Sequence, residues 1–310
     1  MSGIEFLRPA PGWQSHPATS SKVKERHLEQ RQCPSISYKT PPLVEVAMSV
    51  QFEPPKGLNQ AHLGSFWATQ RTSLPRVRAV QPIATTNEDF GGPGQWLPPS
   101  LQLALTNEPD CRLQMTSEDD QWMWQLQRNR LVVNWRKRSN AYPRFSATRD
   151  RFQAAWVTWS AFLAEMQIPS PKPQLWELTY VNRIPKDKLW ASPGDWPSVL
   201  PGLWGGAFAT VQGAALRGFH GQWVWESIDP RARLYVEPKP GRSTEESNEE
   251  VMLLSLTARG PVDGPNSSVS IAADRIHDGI SFGHRFIVET FDRIASDNAK
   301  IIWGRNADFD

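Results

Sequence analysis

Apolar residues in this chain recur at two different spacings, and the chain passes from one spacing to the other twice. Between residues 44 and 52 an apolar side chain occupies almost every second position, and prolines at 54 and 55 end the run. This alternation predicts a β-strand with one buried face. Between Ser146 and Met166 aromatic and aliphatic residues recur at steps of three and four, which predicts an amphipathic helix.

The second half of the chain repeats this order. A predicted strand from Glu177 to Pro185 precedes further strands near 222–226, 233–237 and 251–258, and Gly279 to Ala295 carries an apolar helical stripe. We therefore predict an α+β fold. Each half combines an antiparallel sheet with one long helix, which indicates either a duplicated unit or the same order by chance. The expected division is an N-terminal arm at 1–40, a first α+β half at 41–170 and a second at 171–310.

The chain contains fifteen tryptophans, and the predicted core is rich in them. Trp122 and Trp124 share one face of a strand that turns near Asn129 into a second strand with a matching apolar face, so a hairpin is expected. The helix should lay Phe152, Trp156 and Leu163 on this hairpin. About two-thirds of the tryptophans are expected in the core, and the rest are available for contacts.

Composition excludes several classes of protein. The chain is 39% hydrophobic and 21% charged, and no apolar run approaches the roughly 20 residues that a membrane span needs. The first residues lack the pattern of a secretory signal, so we expect a cytoplasmic protein. Cys33 and Cys111 are too far apart in sequence for a C-x-x-C pair and are expected to be reduced thiols.

Three short segments resemble a known family. They are Pro41–Val46 (PPLVEV), Tyr180–Ile184 (YVNRI) and His284–Phe291 (HRFIVETF), and the likeness spans most of the chain after the N-terminal arm. They resemble a sporadically distributed family of bacterial and archaeal proteins of unassigned function. The resemblance implies a patchy distribution similar to that of genes in bacterial defence or mobile-element loci. It implies no catalytic residue.

Motifs for catalysis or cofactor binding are missing from the sequence. It has no phosphate-binding glycine loop, no H-E-x-x-H and no G-x-S-x-G string. We therefore predict no metal and no cofactor. His284 falls in the apolar stripe of the last helix, where a core histidine is more common than a ligand.

Two glutamates occupy equivalent places in the first strands of the two halves. Glu45 and Glu177 would meet if the halves are related by a pseudo-twofold axis, and each would then perturb the pKa of the other. Together with Tyr180 they form a candidate site between the halves. The alternative is that both carboxylates face water or an arginine.

The strongest charge signal lies between Arg128 and Arg151, where eight basic residues accompany one acidic residue, Asp150. Arg130, Arg136 and Arg138 share one predicted strand face. Guanidinium groups in this arrangement suit phosphates or an acidic protein surface. The alternative is a sheet face made soluble by charge. The candidate binding residues are Arg130, Arg136, Arg138, Lys137 and Arg144.

Two classes of function follow from these patterns. The first is a non-enzymatic binding component, possibly of a bacterial defence or mobile-element system, that engages a partner protein or nucleic acid. The second is a hydrolytic enzyme with its site between the two halves. The absence of catalytic motifs favours the first.

Overall fold

A computed structural model describes residues 36–90, 110–138, 141–204, 221–243, 248–262 and 269–306. These ranges mix helices with antiparallel strands, which confirms the predicted α+β class. The strands are β1 (Ser37–Tyr38), β2 (Leu43–Glu53), β3 (Arg76–Val80), β4 (Arg112–Thr116), β5 (Trp122–Gln127), β6 (Arg130–Arg136), β7 (Lys172–Pro185), β8 (Trp223–Ile228), β9 (Arg231–Arg242), β10 (Glu250–Pro261) and β11 (Arg305–Asn306). The helices are α1 (Gln60–Gln70), α2 (Arg144–Glu165), α3 (Trp196–Val199), α4 (Pro201–Trp204), α5 (Val269–Ile294) and α6 (Asp297–Ile302).

Nine strands form one antiparallel sheet in the order β3-β4-β5-β6-β2-β7-β10-β9-β8. The central pair is β2 with β7, the first strand of each half of the chain. In each half the last strand of this sheet returns to pair with the first: β6 pairs with β2, and β10 pairs with β7. The two halves therefore share one sheet and one order of pairing. The proposal of a duplicated unit stays a prediction.

Local sequence explains how the elements begin and turn. Asn59 caps α1, since its side chain accepts from the backbone amide of His62 while the His62 ring accepts from the amide of Asn59. Gln127 pairs with Arg130, so the β5–β6 hairpin turns through two residues, one of which is the predicted Asn129.

The long helices lie on one face of the sheet, as their apolar stripes predict. Phe152, Trp156 and Leu163 of α2 are buried, and the ring centroid of Trp156 lies 5.9 Å from that of Phe52 on β2. Trp124 instead stacks on Phe66 of α1. Helix α5 begins ten residues before the predicted start because Ala272, Ala273 and Ile276 extend its buried stripe. No helix within the described ranges is long and apolar enough to cross a membrane.

Three glycines bring α5 close to the sheet around Trp176 of β7. A Cβ atom at Gly279 would lie 2.4 Å from Cδ1 of this indole, and one at Gly283 would lie 2.7 Å from its Cζ3. Gly260 on β10 approaches the same ring, where an added Cβ would lie 2.4 Å from Cζ2. The indole, 3% exposed, thus occupies the space that three side chains would otherwise need.

The sequence predicts that Cys33 and Cys111 are reduced thiols. Cys111 is a partly buried free thiol whose Sγ lies 3.2 Å from Oε1 of Gln60. Cys33 lies outside the described residues.

Trp13 and Trp96 also lie outside the described residues. Among the described tryptophans, eight are buried, which agrees with a mainly structural role.

Candidate functional site

The face of the sheet opposite the long helices is polar, and a hydrogen-bonded chain of side chains crosses five of its strands. Arg78 Nε donates to Gln114 Oε1 (2.7 Å), and the Gln114 amide donates to Gln125 Oε1 (2.9 Å). The Gln125 amide donates to Asn134 Oδ1 (2.7 Å), and the Asn134 amide donates to Glu45 Oε1 (2.6 Å). The three amides are buried and paired, so this face is ordered by its own side chains.

Residues 81–90, here called the strap, run along this polar face. Gln127 exchanges two hydrogen bonds of 2.9 Å with the backbone of Ile83. Gln51 does the same with the backbone of Thr86, at 2.8 and 3.0 Å. Side-chain amides thus pair the strap to the sheet in the way that a neighbouring strand would.

Farther along the strap, Glu88 reaches the strands of the second half. Its carboxylate accepts from Tyr235 Oη (2.7 and 2.9 Å) and from Arg259 Nη1 (3.0 Å), and it lies 3.4 Å from Arg233 Nη1. Arg259 also binds Glu177. Burial lowers the pKa of Arg259, but the carboxylates of Glu177 and Glu88 outweigh burial and raise it above its usual value. These charges form a paired network that fixes the strap across both halves.

Arg130 belongs to this network and not to a solvent-facing ladder. Only 2% of its side chain is exposed, and Nη2 donates to Gln51 Oε1 (2.6 Å) and Thr86 Oγ1 (2.9 Å). Its Nη1 lies 3.8 Å from the carboxylate of Glu177. Burial lowers the pKa of Arg130, and Glu177 opposes that effect. The predicted grouping with Arg136 and Arg138 therefore fails for Arg130, because the strap covers it.

The other two arginines of the predicted ladder lie together near the outer strand of the sheet. Arg136 Nη2 contacts Asp120 Oδ1 at 2.6 Å, Arg138 binds the second oxygen of Asp120, and Arg76 lies 3.5 Å from the first. Strand register places Arg78 and Arg112 on the same face, farther along β3 and β4, with Arg112 four residues, about 13 Å, from Thr116, the partner of Arg76. We call this group the cationic edge; its members are Arg76, Arg78, Arg112, Arg136 and Arg138.

Arg78 and Arg112 give the cationic edge its unbalanced charge. Burial and the nearby positive charge of Arg78 lower the pKa of Arg112. Within the described ranges, no carboxylate forms an ion pair with Arg78 or Arg112, and Asp120 alone serves the other three arginines. Sequence reasoning missed Arg78 and Arg112 because β3 and β4 are short and lie outside the basic run.

Lys137 and Arg144 do not belong to the cationic edge. Lys137 is exposed and lines a cavity of about 370 Å³ beside Arg183 and Trp303. Arg144 begins α2 on the helical side of the sheet, where Nη1 donates to the carbonyl of Tyr38 (3.1 Å). The five predicted binding residues thus occupy four separate places.

The candidate site between the halves is not brought together. Glu45 pairs with Val181 and Glu177 pairs with Ser49, so the two glutamates are offset by four residues along β2, about 13 Å. Both lie on the polar face and bind Asn134 and Arg259 respectively. Tyr180 lies on the opposite face, because side chains of a strand alternate. A hydrolytic site based on these three residues has no geometric support.

Tyr180 instead forms a different cluster beneath α5. Its hydroxyl lies 2.9 Å from Nδ1 of His284 and 3.3 Å from the hydroxyl of Tyr142. Phe145 stacks on the His284 ring with 3.8 Å between centroids. Burial, together with the positive charges of Arg285 and Arg149, lowers the pKa of His284 to about 4, so the ring is neutral at pH 7. The predicted core histidine is thus part of a polar cluster.

Comparisons with known proteins give no function for this chain. No protein-family model, no curated protein and no solved structure matches it. Within the described residues, no group of three or more His, Cys, Asp or Glu side chains is placed to hold a metal ion. The resemblance found in the sequence stays a prediction.

Proposed function

We propose that this protein is a non-catalytic binding component that holds an acidic protein segment at the cationic edge. The observation that carries the proposal is a set of five arginines on the polar face of the outer part of the sheet: three bind Asp120, and Arg78 and Arg112 form no ion pair within the described ranges. Within the described ranges β3 pairs on one side only, with β4, and four of its five residues are exposed. An extended segment could therefore add to β3 by backbone hydrogen bonds while its carboxylates meet the arginines.

The number of unbalanced charges favours a protein partner over nucleic acid. Proteins that bind duplex backbone commonly neutralise about 6–10 phosphates. At the cationic edge Asp120 pairs with three of the five arginines and leaves Arg78 and Arg112 without an ion pair in the described ranges, and the whole chain carries a net charge of only +2. That surplus suits a short acidic segment better than a long phosphate backbone. Membership in a bacterial defence or mobile-element system is part of the proposal and is supported by the sequence resemblance alone.

Charge reversal tests the proposal. The double variant Arg78→Glu/Arg112→Glu should lose binding to a fluorescently labelled acidic peptide, measured by anisotropy at low and moderate salt. Lys56→Glu/Lys188→Glu is the matched control, since both residues are exposed and neither lies on β3, β4 or β6. Circular dichroism should show the same fold for all variants, because Arg112 is only half-buried, the other changed residues are exposed, and exposed charges contribute about 1 kcal/mol or less each.

A gain-of-affinity variant makes the test sharper. Asp120→Asn removes the carboxylate that binds Arg76, Arg136 and Arg138, so affinity for the acidic peptide should rise and should become more sensitive to salt. Equal binding by the two charge-reversal variants would contradict the proposal. If only single-stranded or duplex oligonucleotides bind, and the binding depends on Arg78 and Arg112, the partner is nucleic acid.

A further inference from the structure

A cavity on the helical side of the sheet has the size and lining of a small-molecule site. Its volume is about 580 Å³, room for roughly twenty waters at about 30 Å³ each, and it lies among β7, the start of α2 and the middle of α5. Natural ligand pockets fall in the same range, about 300–1,000 Å³. The cavity lies opposite the polar face and shares no lining residue with the cationic edge.

The walls are apolar and polar in about equal parts. Leu43, Leu256, Ile287 and Phe291 contribute aliphatic and aromatic surface. The polar groups include Tyr142, Tyr180, Asn182 and His284. A cavity that combines apolar walls with convergent polar groups is typical of sites for organic ligands.

The hydrogen bonds of His284 leave one ring nitrogen available. Nδ1 is paired with the Tyr180 hydroxyl, and Nε2 has no hydrogen-bond partner among the described residues. If Tyr180 donates to Nδ1, the neutral ring carries its proton on Nε2, which then acts as a donor. The cavity thus contains a neutral hydrogen-bond donor held in place by stacking on Phe145.

Charge at the cavity is positive. Arg144 lines it, and the described lining residues include no carboxylate. Asp292, which accepts from the lining residue Tyr38 (2.7 Å), is paired with Arg305. Arg144 also has a φ of 75°, a conformation that costs a residue with a Cβ atom about 1–3 kcal/mol and that is common at ligand sites. These features indicate which ligand the cavity suits.

We propose that this cavity binds a small organic anion, with its apolar body against α5 and its carboxylate at Arg144 and His284. The proposal is independent of the function proposed for the cationic edge. A carboxylate would accept from the guanidinium group and from Nε2–H, while the aliphatic and aromatic walls exclude water from the rest of the molecule. An uncharged ligand of the same shape would lose the charge-assisted contact.

The test compares 4-phenylbutyrate with its uncharged amide, 4-phenylbutanamide, on the full-length protein. The readout is the His284 ring resonance in NMR, assigned with the His284→Gln variant. The carboxylate should shift this resonance at millimolar concentrations or below, and the amide should bind at least about tenfold more weakly. The bound carboxylate should also raise the pKa of His284 from about 4, because a negative charge favours the imidazolium.

Variants distinguish binding in the cavity from nonspecific binding. Arg144→Gln should abolish the preference for the carboxylate and leave amide binding unchanged, whereas the exposed control Arg71→Gln should change neither. Val288→Trp should fill the cavity and block both compounds. The proposal is overturned if neither compound shifts the His284 resonance, or if Arg144→Gln keeps the tenfold preference. Arg144 is exposed, so its variant remains informative even if Val288→Trp fails to fold.

Discussion

Replacing Gly283 with alanine should destabilise the protein, although the same change usually stabilises a helix. Alanine is favoured over glycine by about 1 kcal/mol in a helix interior. The new Cβ atom would lie 2.7 Å from Cζ3 of Trp176 and 3.3 Å from the Cβ of Ala258, against an optimal carbon–carbon separation of about 3.5–4.0 Å. The indole cannot move away freely, because Gly260 borders it on the sheet side.

Overpacking of this kind costs about 1–3 kcal/mol and the helix preference for alanine offsets about 1 kcal/mol, so Gly283→Ala should lower the free energy of unfolding by up to about 2 kcal/mol net. Gly64→Ala in α1 is the matched control: an added Cβ there meets nothing within 4 Å, so the change should stabilise by up to about 1 kcal/mol. Urea unfolding followed by tryptophan fluorescence measures both. In a Trp176→Leu background the penalty at Gly283 should disappear. Equal effects at Gly64 and Gly283 would refute this account of the helix–sheet contact.

Three further outcomes follow from the structure. Trp156→Ala should cost about 3–5 kcal/mol in urea unfolding, because the side chain is 2% exposed in the core; a loss below about 1 kcal/mol would contradict that burial. The pKa of His284 is about 4 in the folded protein and 6.5 in an ordinary histidine, so the unfolded chain binds more protons between these two values. The free energy of unfolding should therefore fall by up to about 3 kcal/mol from pH 6.5 to pH 4. His284→Phe should flatten this slope in pH-dependent unfolding. Changing Cys33 and Cys111 together to serine should leave peptide binding intact, and a loss of binding without a loss of folding would give a thiol a functional role.

Periodicity in the sequence predicted the elements whose stability depends on local pattern. The alternation through β2 and the aromatic stripe of α2 both correspond to buried faces, because burial on one side imposes a fixed period. The start of α5 was missed, since its first turns lie outside the strongest stripe. The alternation of side chains along a strand also separates two of the predicted site residues. Glu177 and Tyr180 are three positions apart on one strand and therefore face opposite sides of the sheet.

The candidate sites depended on contacts that no local pattern contains. The burial of Arg130 requires the strap, a segment without strand or helix periodicity that is held by side-chain amides. The cluster at His284 requires Tyr142 and Phe145, which lie far from it in sequence. Long-range pairing of this kind is decided by the whole fold, so neither site could be derived from spacing along the chain.

The pairing of β2 with β7 makes the protein suitable for cutting into two complementary pieces. The chain connects α2 to β7 through residues 166–171, four of which are exposed. A break there would give two polypeptides. One would contain β2, of 11 residues, and the other β7, of 14 residues, and each of these strands pairs with the other in the intact sheet. Unsatisfied backbone groups along both strands would drive the pieces to recombine. Co-expressed, they should behave as a split protein whose reassembly can be coupled to a reporter.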